Sequence, residues 1–258
     1  MSKLKTDVWG HILHTIGYNG GDECAVTADQ IKKCKQSWTG PENQFEPRLL
    51  AYQTSAASRP PAFIEAGLYL LPVRNGTYML CKQNIYMPLD YTFESVHKIH
   101  PCTGSVVLKI GDSETSRIDN LRYAGVFERP ELLGEPIKYG PLLNGRHRCT
   151  LNTTLGGRSI QIEGVQYETD ACYESQNKVL IIEGKSSGGS IDSFNIRQLY
   201  FPYRAVYDAC GGTKEIICVF IHKLGKAYHV WKYTFTDPRA MDSMTCIGHY
   251  VYELASMG

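Results

Sequence analysis

The sequence predicts an α+β protein whose helices and strands are segregated along the chain. Three observations lead there. Apolar residues recur at helical spacing near the N-terminus, short β-rich runs bounded by Gly, Pro and Asn fill the middle, and the last stretch carries strands, one amphipathic helix and strands again. The chain divides on this pattern into a helical segment at 1–59, a β-rich segment at 60–145 and a third segment at 146–258.

In the first segment Val8, Trp9, Ile12, Leu13 and Ile16 share a helical face, and the run stops at Gly17 and the Gly20-Gly21 turn. Thr27-Ala28-Asp29-Gln30 has the spacing of a capping box, so a second helix opens there and runs through Ile31 to about Trp38. Two short helices with a turn between them, carrying Lys32, Lys33 and Lys35, fit a helix-turn-helix or winged-helix fragment with Lys32 at DNA. They fit equally a helical scaffold whose lysines face solvent.

In the middle segment Leu68–Leu71 and Thr77–Cys81 flank Arg74-Asn75-Gly76, a hairpin signal. Val106–Ile110 reads as a strand. A polar loop, Gly111 to Arg117, precedes a helix over Ile118–Phe127, and a Pro/Gly-punctuated stretch follows to Gly145. In the third segment Arg158–Cys172 and Lys178–Glu183 read as strands. Ile196, Leu199, Tyr200, Tyr203, Val206 and Tyr207 place a helix over Ser193 to about Ala209, kinked or split at Pro202. Glu215–Ile221 and Lys226–Phe235 form a strand pair around Leu224-Gly225.

Composition narrows the function classes. With 258 residues, 43% of them hydrophobic and 21% charged, the chain can bury a substantial core as one large or two to three small domains. A formal net charge of +1 argues against a non-specific DNA coater but not against a sequence-specific enzyme, whose DNA surface rests on local asymmetry. The nine cysteines form no CxxC pair, and the N-terminus lacks a signal-peptide pattern, so the thiols are expected reduced in a cytoplasm. No apolar run has membrane-spanning length. His97-x-x-His100-x-Cys102, with Cys81 upstream, has no standard zinc spacing. The 17 tyrosines suit base stacking and half-buried sheets alike.

The chemistry concentrates in Tyr167-Glu168-Thr169-Asp170 and Val179-Leu180-Ile181-Ile182-Glu183-Gly184-Lys185. Asp170 ends one strand; after twelve intervening residues a second strand delivers Glu183 and Lys185, which project from the same side. If the strands pair as a hairpin, two carboxylates and an ammonium surround one point. Mg²⁺ is a hard cation usually held by one or two carboxylates and several waters. Beside it a lysine can position water and stabilise developing charge, which suits phosphodiester hydrolysis. Glu168 and Gln166 share Asp170's strand face; Glu168 reads as a second metal ligand, a water holder or a plain surface residue. Gly184-Lys185-Ser186 is no P-loop, since Val179 stands where that loop needs glycine.

Asp170, twelve residues, then Glu183-Gly184-Lys185 resembles the PD-(D/E)XK nucleases, and in particular type II restriction endonucleases, with Thr169 in place of the first proline. Gln166-x-Glu168-x-Asp170, Phe194-Asn195-Ile196-Arg197-Gln198-Leu199-Tyr200 and, far upstream, Phe45-Glu46-Pro47-Arg48-Leu49-Leu50 carry the resemblance further. It implies a restriction-endonuclease-like αβββαβ core with a mixed central sheet, preceded by a helical, winged-helix-like segment and a β-rich recognition segment. It implies Mg²⁺ held by Asp170, Glu183 and the carbonyl of Gly184, with Lys185 acting on the attacking water, and 5′-phosphate and 3′-hydroxyl products. Double-stranded DNA is the implied partner, in a bacterial or archaeal cytoplasm, and a homodimer suits a palindromic target. Arg197, Gln198 and Arg204 on the following helix, Arg146 and Arg148 before the signature, and Arg48, Lys32 and Gln166 are the implied DNA contacts. For each the alternative is a solvated or ion-paired role. A repair nuclease with the same core and a catalytically inactive DNA-binding regulator are the competing functions.

Overall fold

The computed structural model describes residues 3–40, 45–102, 104–105, 113–185 and 189–255. In chain order they form α1 (Lys3–Thr15), β1 (Glu23–Thr27), α2 (Ala28–Cys34), α3 (Pro47–Ala51), α4 (Pro61–Glu65), β2 (Tyr69–Arg74), β3 (Thr77–Cys81), β4 (Tyr86–Pro88), β5 (Val96–Ile99) and α5 (Glu114–Tyr123). There follow β6 (Arg146–Leu155), β7 (Arg158–Glu168), β8 (Ala171–Glu174), β9 (Lys178–Lys185), β10 (Ser193–Asn195), α6 (Arg197–Cys210), β11 (Glu215–Leu224), β12 (Ala227–Phe235) and β13 (Met244–Leu254). The protein is α+β with mixed sheets, and its chain sorts into two units. Among the described residues no helix is long and apolar enough to cross a membrane.

The first unit comprises Met1–Leu89, Arg148–Gln166 and Asp192–Ile196. Its helices pack through Val8, Trp9 and Ile12 of α1, Ile31 of α2 and Phe63 of α4 against Leu70 and Leu80 of the sheet. Trp9 packs at a tilt against Phe63, ring centroids 4.6 Å apart, and donates its indole N–H to Leu50 O at 3.2 Å, so its one polar atom is satisfied in the core. The capping box is real. Thr27 Oγ1 accepts from Gln30 N at 3.1 Å, and Thr27 N donates to Gln30 Oε1 at 2.8 Å. Gly76 takes the left-handed conformation at φ 73° that closes the β2–β3 hairpin. β3 also pairs with β1, a strand that the sequence pattern did not reveal, giving the order β1-β3-β2-β7-β6.

The second unit comprises Asp90–His147, Tyr167–Ile191 and Arg197–Gly258, around a six-stranded sheet of order β5-β13-β12-β11-β9-β8. β9 runs antiparallel to β8 and parallel to β11, with α6 as the crossover between β9 and β11. Leu180 and Ile182 of β9, with Val219 and Ile221 of β11, join Ile118 and Leu121 of α5 in the main core. On the opposite face α6 packs over β9 and β11, with Tyr203 against Phe235 at 4.5 Å. β9 is thus covered on both sides, which explains why it reads as a continuous apolar run. Ahead of β8, residues 138–142 run beside it, with Tyr139 and Glu174 exchanging backbone hydrogen bonds and Leu142 N donating to Cys172 O at 2.7 Å.

The structure differs from the pattern reading at particular points. The strand expected over Arg158–Cys172 breaks at Thr169-Asp170, because β7 belongs to one sheet and β8 to the other. The helix expected from Ser193 starts at Arg197, because Ser193–Asn195 pair with Tyr86–Pro88. Pro202 neither ends nor splits α6, which runs unbroken to Cys210. The helix expected over Ile118–Phe127 begins at Glu114, where Ser113 caps it, and ends at Tyr123. The strand expected at Val106–Ile110 lies outside the described residues.

Candidate active site

The β8–β9 ladder pairs Ala171 with Ile182, so one step outward the register sets Asp170 opposite Glu183. Because the chain leaves β7 at this point, Asp170 is free of a strand ladder and its side chain turns onto β9, where Oδ2 accepts from Gly184 N at 2.7 Å. Burial raises the Asp170 carboxyl above the usual range. The Gly184 N–H and the Lys185 charge oppose that, while the charges of Glu114 and Glu168 add to it.

Glu183 is 6% exposed. Its Oε1 accepts from Lys185 Nζ at 2.5 Å and also from Gln198 Nε2, which α6 carries across the face of β9. Burial, with the charges of Asp170 and Glu114 adding to it, lifts its pKa to about 7 against the pull of Lys185. For Lys185 burial works most strongly against the charged form, but the Glu183 carboxylate, together with Glu114 and Asp170, outweighs it and the ammonium is held more firmly than usual. Asp170 and Glu183 each keep one oxygen without a hydrogen-bond donor among the described residues.

These two oxygens are of the ligand type that a hard divalent cation takes. The buried Glu183 carboxyl, raised by its desolvation and by the half-buried Asp170 beside it, is in the electrostatic state that a hard cation relieves, and Mg²⁺ needs only one or two carboxylate ligands. Among the described residues no group of three His, Cys, Asp or Glu side chains forms a full metal cage. A Cβ at Gly184 would stand at van der Waals contact, 3.4 Å from Ile118 Cδ1 and 3.7 Å from Asp170 Oδ2.

Two neighbours were not foreseen. Glu114, the first residue of α5, acts electrostatically on Asp170, Glu183 and Lys185. Arg117, one turn on, donates Nη1 to Lys185 O at 3.5 Å. The only sequence signal was Ser113 followed by an acid, the mark of a helix start with a charged first turn.

The other expected contacts are distributed as follows. Gln198, expected at a phosphate, donates its amide to the Glu183 carboxylate. Arg204, also expected at DNA, is 6% exposed and committed to Asp208 and to Tyr200 Oη, all at 3.2 Å, so its role is structural. Arg197 opens α6, half-buried. Glu168 is exposed and ion-paired with Arg146 at 2.9 Å. In the first unit, Arg148 donates to Gly164 O at 2.8 Å, Gln166 is exposed on β7, Lys32 is exposed on α2, and Arg48 is exposed at the start of α3.

Residues 81–253 match the family model described as domain of unknown function (DUF6997), and residues 9–80 match domain of unknown function (DUF6996). No curated protein and no solved structure matches the chain.

Proposed function

We propose that this chain, which belongs to the DUF6997 family, is a Mg²⁺-dependent endonuclease of the PD-(D/E)XK kind that cuts double-stranded DNA at a specific sequence, as type II restriction enzymes do. The observation that carries the reading is the meeting of Asp170, Glu183 and Lys185 at the open end of β8 and β9. The arrangement of the second unit supports it: once β6 and β7, which belong to the other sheet, are set aside, helix α5, the stretch at 138–142 bridged to β8, β8, β9, crossover helix α6 and β11 parallel to β9 follow in an αβββαβ-like order. In the first unit, α1, β1, helices, then a hairpin, with strand order β1-β3-β2, is the arrangement of a winged-helix domain, which suits DNA binding.

In this reading Mg²⁺ supplies positive charge against the phosphate oxygens and lowers the pKa of water. Asp170 and Glu183 offer their undonated oxygens to hold it. Gln198 and the Gly184 N–H keep those carboxylates oriented, so the site needs little rearrangement. With a cation held by Asp170 and Glu183, the Lys185 ammonium would be released from Glu183 to position the attacking water and to stabilise the charge that develops on the phosphate. The cut leaves a 5′-phosphate and a 3′-hydroxyl.

The experiment is a digest of long DNA of known sequence with Mg²⁺, beside EDTA and Lys185→Ala controls. Discrete fragments from the wild type alone are expected. A smear would turn the reading to a repair nuclease, and intact unmodified, methylated and branched DNA would turn it to a binding protein.

A further inference from the structure

Asp170 faces more than Glu183. Between α5 and β8, within the second unit, it also lines a cavity of about 360 Å³, in the size range of small-ligand pockets, ~300–1,000 Å³. Ile118 and Tyr173 supply apolar and aromatic wall, while Asp119, Asn144 and Thr169 supply polar groups. Those groups are biased toward accepting. The Asn144 amide donates to Pro141 O at 3.3 Å, leaving its side-chain oxygen without a donor among the described residues. Asp119 makes no ion pair among the described residues, and burial holds its carboxyl above the ordinary range. Thr169 is 7% exposed, and its hydroxyl has no partner among the described residues, the state of a buried polar group left for a ligand or water.

A phosphate is excluded by such walls, since Asp119 and Asp170 would repel it. A planar ring with an exocyclic amine fits them, its donors meeting the acceptors at the edge of the core that holds Tyr173 and Ile118. Resting on the nuclease reading, we infer that this cavity receives the amine-bearing base next to the scissile phosphate, turned out of the duplex. Asp170 joins the two places, lining the cavity on one side and facing Glu183 on the other. A base stacked in a duplex has its faces covered by its neighbours, so entry into the cavity requires extrusion. Asp and Asn are residue types that read cytosine and adenine edges. Thymine offers one N–H between two carbonyls, and the acceptor-rich walls reject it.

The test titrates deoxycytidine, deoxyadenosine and thymidine, without metal, into isotope-labelled full-length protein and follows amide shifts. Saturable shifts around 115–119, 141–145 and 169–173 are expected with at least one of the amine-bearing nucleosides, and about fivefold weaker binding of thymidine. Asn144→Ala and Asp119→Ala each weaken binding about tenfold, the loss of one good base contact. Absence of saturable shifts, equal binding of thymidine, or unaltered binding by both variants overturns the inference. The nuclease reading is separated by digestion. If wild type cuts DNA and both variants cut the same sites at the same rate, the pocket inference falls and the nuclease stands. Nucleoside binding that depends on Asn144 and Asp119, without any DNA cleavage, keeps the site and removes the nuclease.

Discussion

Glu183 concentrates the conflict at this site. A carboxyl with a pKa of about 7, above the 4.5 of an ordinary glutamate, keeps a proton in the folded state that the unfolded chain has released. Stability of the metal-free protein therefore falls as pH rises from about 4.5 to about 7. Glu183→Gln removes that dependence. In EDTA it is expected to be more stable than wild type by about 1–3 kcal/mol above pH 8, with no gain below pH 4.5, as urea unfolding at the two pH values would show. Equal curves at pH 8 would mean that Lys185 fully compensates the buried charge. Lys185→Ala should lower cleavage by at least about 10³-fold while specific DNA binding persists, read by single-turnover rates beside gel shifts. A near-wild-type rate would take Lys185 out of the reaction.

At the scale of elements, α6 does two jobs with opposite ends. Its first turn delivers Gln198 to Glu183, and its middle buries Arg204 with Asp208 and Tyr200. Arg204→Ala strands those partners and leaves space in a packed face. It should cost about 2–4 kcal/mol in chemical unfolding while leaving the DNA affinity of the folded fraction unchanged. A selective loss of affinity at wild-type stability would restore Arg204 as a DNA contact. The β8–β9 pair makes the other element-scale prediction. If it holds a cation, 10 mM Mg²⁺ should raise the wild-type melting temperature at pH 8 and leave Asp170→Asn unmoved, since a ligand stabilises only the state that binds it. Equal shifts in both would place any bound metal elsewhere.

At the scale of the whole molecule, the family boundary and the sheets do not coincide. The matched region 81–253 contains β6 and β7, yet β7 joins a sheet with β2, from before that boundary. A fragment of residues 81–258 is therefore expected to lose the partner of β7 and expose a strand edge. It should elute as an aggregate or a molten species on gel filtration, where the full chain gives a folded peak. A folded, monomeric fragment would show that the β6–β7 hairpin does not need the N-terminal strands.

Local signals were legible in the sequence wherever the physics is local. The capping box at Thr27, the Asn75-Gly76 turn, the apolar run of β9 and the two-residue spacing of Glu183 and Lys185 all depend on neighbours within a few positions. What depends on distant pairing was not legible. The strand break at Thr169-Asp170 follows from two sheets claiming adjacent segments, and it is this break that turns Asp170 toward Gly184. β1 went unseen because its short, half-exposed pattern acquires meaning only beside β3. Pro202 was expected to disrupt α6, but a helix packed along one whole side keeps its course despite one missing backbone bond. Glu114 and Gln198 reached the site from helices whose placement no periodicity reveals. The sequence by itself determined which groups could do chemistry and on which strand face they stand. Only the tertiary structure decided which of them meet, which are buried and what their charges become, because register, helix docking and desolvation are set by residues far apart in the chain.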